Sequence, residues 1–124
     1  MSFLRAEDVL PKFENGVVVF TSGHRLSYDD SGNGETGIWV VKPERLEMVD
    51  KVIIYLREDN STINRILVGT YAGYRPSEDP TRFNIRFTNL NEFGTTTANW
   101  HEFGKGGSNP IRFVTGTGKQ SRMR

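Results

Sequence analysis

The stretch KVIIYLREDNSTINRILVGTY, residues 51–71, decides the fold. Lys51 to Arg57 is an apolar, β-branched run of strand length, and Val52-Ile53-Ile54-Tyr55-Leu56 at its centre is the longest apolar run in the chain. Asp59-Asn60-Ser61 is turn chemistry, and a second apolar segment runs from Arg65 to Tyr74, so the stretch predicts a hairpin. Gly69 and Gly73 in the return strand predict a bulge or strong coiling, as small barrels need.

Working outward, the same strand signal recurs. Val17-Val18-Val19-Phe20-Thr21 is continuous and β-branched, the pattern of a strand buried on both faces. Ile38-Trp39-Val40-Val41 is another strand, followed by a helical turn over 42–48 with Pro43 at its first position. Arg82 to Thr88 alternates strictly, with Phe83, Ile85 and Phe87 on one face and Arg82, Asn84 and Arg86 on the other. Pro110 to Val114 supplies the last strand. Between them, SGHRLSYDDSGNGETG (22–37) reads as a long polar loop anchored by Leu26 and Tyr28, and 91–107 as a second polar connection. Residues 5–13 read as a short N-terminal helix, with Ser2 as its cap and Pro11 limiting it.

These elements predict a mainly β domain with minor α. The expectation is a small curled antiparallel sheet or pseudo-barrel of about six strands with one or two short helices. Parallel βαβ units are not expected, because no connection holds a full amphipathic helix. One domain over 1–114 and a basic tail over 115–124 account for the chain of 124 residues. There are no cysteines, which excludes disulfide staples, zinc–thiolate sites and thiol catalysis. No apolar run approaches the roughly 18 residues of a membrane span, and no basic leader precedes Phe3-Leu4, so a cytoplasmic location and no membrane partner are expected.

Net charge is only +1, but it is unevenly placed. Residues 1–62 hold seven Lys/Arg and eleven Asp/Glu, whereas 63–124 hold nine and four. From Lys105 onward there are five basic residues and no acidic one. That asymmetry points to a polyanion-facing or pairing surface. Basic and aromatic residues interleave in the second half, which is what nucleic acid asks for: flat faces for bases and cations for phosphates. Arg75, Arg82, Arg86, Lys105 and Arg112 are the candidates for backbone contact. Tyr74, Trp100 and Phe103 are the aromatic candidates for a pocket, while Phe83, Phe87 and Phe113 are assigned to the core. Two histidines, His24 and His101, could serve as general base and acid at a phosphodiester if their loops meet. No metal-ligand spacing is present, and neither a metal nor a cofactor is expected. Gly104-Lys105-Gly106-Gly107-Ser108 has the glycines and cation of a phosphate cradle without the spacing of a P-loop.

The segment from Gly37 to Gly73 resembles the core of the PUA-like superfamily, in particular EVE and ASCH domains. It has Gly37-Ile38-Trp39-Val40-Val41, then Asp50 before the apolar strand ending in Tyr55, then a return strand containing Gly69. Val49 stands where those families usually carry Gly, and a turn replaces their longer helix. The resemblance implies a pseudo-barrel whose cleft accepts a nucleobase, often a modified one, with Trp39 lining it and Ser22 or His24 near its mouth. The reading is therefore a non-catalytic binding module for nucleic acid or a nucleobase. Two alternatives stay open: an interaction domain or homodimer that pairs acidic and basic halves, and a small phosphodiesterase using His24 and His101.

Overall fold

Strand β4 (Lys51–Arg57) lies near the centre of the molecule for the reason its sequence gives. Residues 52 to 55 are fully buried, with Val52, Ile54 and Leu56 on one face and Ile53 and Tyr55 on the other. Its neighbours are β1 (Asn15–Thr21), likewise apolar on both faces, and β5 (Asn64–Pro76). The computed structural model describes residues 9–21, 23, 25–57, 64–96 and 111–118. Across these, β2 (Leu26–Tyr28), β3 (Gly34–Val40), β6 (Arg82–Thr96) and β7 (Ile111–Thr115) complete one seven-stranded sheet in the order β2-β3-β6-β5-β4-β1-β7. Among the described residues the one helix, α1 (Pro43–Leu46), starts on Pro43 as expected.

The mainly β expectation holds, with specific corrections. Seven strands are present among the described residues, against an expectation of about six. The expected long loop contains β2, paired antiparallel with β3 through Leu26–Thr36 and Tyr28–Gly34. Strand β6 runs on to Thr96, well into the expected polar connection, pairing with β5 through register shifts. Most pairings are antiparallel, but β1 and β4 run parallel, with Val17 opposite Val52 and Phe20 opposite Tyr55. The crossover between them is not a helix. It is the β2–β3 hairpin and α1, enough chain to return to the same end of the sheet. The bulge predicted at Gly69 and Gly73 is present as register shifts at Val68/Thr70 and Tyr71/Tyr74.

The N-terminal helix expectation fails in its described half. Val9 and Leu10 form a bend and Lys12-Phe13 a turn, with Phe13 at φ 74. The physical reason is that this segment has stronger partners in the sheet. Leu10 is buried against Val18, Ile53, Tyr55 and Ile66 on the outer sheet face. Its backbone is tied to the end of β7 by Phe13 N–H to Gly116 O, Gly116 N–H to Glu14 O and Gly118 N–H to Leu10 O. Gly116 permits this approach, since a Cβ there would lie 2.1 Å from the Pro11 carbonyl oxygen. The first part of the expected tail is thereby part of the fold, while residues 1–8 and 119–124 lie outside the described residues.

The larger core fills the inner face: Val17, Val19, Val52, Ile54, Leu67, Ile85, Phe87 and Ile111 meet Leu46 and Val49 from the α1 region. Among the described residues no helix is long and apolar enough to cross a membrane.

Candidate ligand-binding cleft

Strands β6 and β7 are separated in the sheet by β5, β4 and β1. In a flat sheet they would stand about 19 Å apart, at roughly 4.8 Å per strand. Here Phe83 of β6 and Ile111 and Phe113 of β7 line one cavity of 540 Å³. The sheet is therefore strongly coiled, and its two arms approach each other at one end. The Val40–Arg45 corner and the Pro80-Thr81 turn complete the cavity wall.

Its chemistry is simple. Val40, Val41, Pro43, Pro80, Ile111 and the two phenylalanine rings make the wall apolar, and Lys42 and Arg45 bring two exposed cations to it. Among the described residues no carboxylate lines it. The Arg45 guanidinium lies over the Phe113 ring, 4.1 Å from the centroid, a cation–π contact that holds a charge beside an apolar surface. Tyr74, 43% exposed, meets Phe83 edge-on at 5.4 Å between centroids and extends the aromatic wall outward. The Pro80-Thr81 side is fixed by Asp79, whose carboxylate accepts from the Thr81 backbone N–H (2.9 Å) and hydroxyl (2.8 Å). Those bonds, with Arg82 adding a smaller effect, hold the Asp79 carboxyl below its ordinary pKa.

The sequence-predicted residues divide into four groups. Trp39 belongs to the inner core, 8% exposed, its indole N–H donating to the Thr36 hydroxyl at 3.3 Å, and it is not among the residues lining this cleft. Tyr74 stands beside the cleft, as above. Ser22, His24, Trp100, His101, Phe103 and Lys105 lie outside the described residues.

The arginines form the fourth group. Arg82 and Arg86 share one side of β6, and Arg75 lies opposite Asn84 on that same side. The three do gather on one face, but it is the outer face, opposite to Phe83, Ile85 and Phe87. A base stacked on those rings and a phosphate held by those guanidinium groups would sit on opposite sides of the sheet. The charges there are also balanced. Arg75 reaches across β6 to Glu35 in a two-pronged pair, Nε–Oε1 3.2 Å and Nη2–Oε2 2.5 Å. Arg82 sits 3.5 Å from Asp79. Arg86 borders a polar depression shared with Asp29 and Glu35. Arg112, on β7, alternates with Ile111 and Phe113 and so also faces away from the cleft.

Lys42, Arg45 and the cleft-lining role of Phe83 and Phe113 were absent from the sequence-based site. Pro43 at the start of a helical turn marked the corner, but nothing in that stretch announces that β7 lies across from it. Among the described residues no three His, Asp or Glu side chains converge as a metal site. Compared with known proteins, the chain matches no family model, no curated protein and no solved structure.

Proposed function

We propose that this protein is a non-catalytic binding module for single-stranded nucleic acid, with the cleft between β6, β7 and α1 as its site. One observation carries the reading: an apolar cavity lined by two phenylalanine rings and two cations, with no carboxylate among its described lining residues. Rings and aliphatic walls favour a flat, weakly hydrated ligand, and Lys42 and Arg45 favour a negative charge attached to it. A base with its phosphate combines the two. The likeness of residues 37–73 to PUA-like domains supports the same class of ligand. The resemblance would have Trp39 receive the base; its place in the core moves that role to Phe83 and Phe113.

The test is fluorescence anisotropy of a labelled oligothymidylate titrated with the full chain at two salt concentrations. Two cations engaging phosphates of a single strand give a slope of about −1.4 in log K against log salt, from roughly −0.7 per contact. Binding that weakens about sevenfold between 50 and 200 mM salt agrees. No binding at 50 mM salt removes the proposal.

A second reading, a protein-interaction or self-pairing surface, draws on the outer face of β3, β6 and β5. There Glu35 and Asp79 alternate with Arg75, Arg82 and Arg86, a mixed pattern suited to a complementary protein face. Light scattering across a concentration series tests it: a dimer that dissociates with salt supports it, and a monomer throughout counts against it.

A further inference from the structure

A second cavity, of 280 Å³, adjoins the first. Asn15, Gly16, Met48, Val49 and Thr115 line its far side. Arg45 and Phe113 line both cavities. The stacked pair is therefore the partition between two chambers, and among the described residues the guanidinium is the one charged group common to both.

This partition is held by an exposed contact. Arg45 is exposed and sits in the last turn of a four-residue helix, and an exposed cation–π contact is a weak restraint. A phosphate offers the guanidinium charge-assisted, two-pronged hydrogen bonds, which are stronger. If Arg45 turns from the ring to a phosphate, the face of Phe113 is uncovered and the chambers join. Met48, 71% exposed at the outer edge of the smaller chamber, supplies an adaptable apolar contact there.

Resting on the reading above, we propose that the ligand is two consecutive nucleotides rather than a free base or a mononucleotide. The first base occupies the larger chamber against Phe83 and Phe113, Arg45 takes the linking phosphodiester, and the second nucleoside enters the smaller chamber beside Met48 and Thr115. Each chamber alone would accept a flat ligand; only a ligand with an anionic link between two flat groups uses both chambers and the charge between them.

The experiment is isothermal titration of the full chain with thymidine dinucleotide and, separately, with thymidine 5′-monophosphate. Backbone amide spectra are recorded in parallel. The dinucleotide is expected to bind at least tenfold tighter and to shift the amides of Thr81 and Phe83 together with those of Gly16 and Thr115. Arg45→Ala should bring the dinucleotide down to the affinity of the mononucleotide. Arg45→Lys, which keeps the charge and loses the planar fork, should recover only part of the difference. Equal affinity for both ligands, with shifts confined to the larger chamber, overturns the two-nucleotide inference and leaves the binding module standing. Absence of binding by either ligand overturns both.

Discussion

Replacing Trp39 with Phe separates a core tryptophan from a ligand-stacking one. The indole is buried within the inner core and donates to Thr36, itself fully buried. Trp39→Phe removes a net three heavy atoms from a packed site, which costs about 2 kcal/mol at ~0.8 kcal/mol per buried carbon. The lost hydrogen bond is long, so it adds about 0.5 kcal/mol, at the low end of the usual range. The expected destabilisation is therefore about 2–3 kcal/mol, a large share of the roughly 5–15 kcal/mol that holds a small domain folded. Urea unfolding followed by far-ultraviolet circular dichroism measures it, with the slope shared between variants. Oligothymidylate affinity of the folded variant should stay within a factor of two of the parent. A variant of unchanged stability that no longer binds would refute the reasoning, because it would place the indole in the binding site and outside the core.

Other substitutions probe the frame around the cleft. A Cβ at Gly37 would fall 1.7 Å from the Asn84 side-chain oxygen, so Gly37→Ala should cost about 1–3 kcal/mol by overpacking in the same unfolding assay; a neutral result would mean that the Asn84 amide turns aside freely. Leu10→Ala should cost about 3 kcal/mol, since the backbone bonds to Gly116 and Gly118 restrain the segment from collapsing into the void; a loss under about 1 kcal/mol would show that the segment does not cover the outer core. Glu35 has its carboxyl held below the ordinary pKa chiefly by the hydrogen bond from Arg75. The folded state therefore favours the ionised form, and this contribution is full above the ordinary carboxylate pKa and fades as pH falls through the depressed one. Glu35→Gln should accordingly be less stable than the parent at pH 7 and equal to it in acid; a gap that widens in acid would reverse the sign of the argument.

Some features were legible because they are local. Alternation over 82–88 put Phe83, Ile85 and Phe87 on the inner face, and the unbroken apolar run of β1 marked a strand covered on both sides. Strand direction was not legible. The valines of β1 bury equally well against a parallel or an antiparallel neighbour, so their pattern is silent about the pairing with β4. The second half of β6 was missed because its period slips: Asn89 takes a left-handed backbone at φ 55 and the register shifts at Gly94, so outward and inward positions no longer alternate. Strand β2 has only three residues, two of them exposed, too few for any period. The cleft was hidden for a deeper reason. Arg45 and Phe113 lie on different elements far apart in the chain, and only the coiling of the whole sheet brings them into contact.

The central claim, that ligand enters between β6 and β7 and not on the arginine-bearing outer face, is tested most directly by amide chemical-shift mapping during titration with oligothymidylate. The account predicts that Val41, Thr81, Phe83, Ile111 and Phe113 move in a saturable way while Glu35, Arg75 and Arg86 stay still. Shifts confined to Glu35, Arg75 and Arg86, with the cleft unmoved, would contradict it.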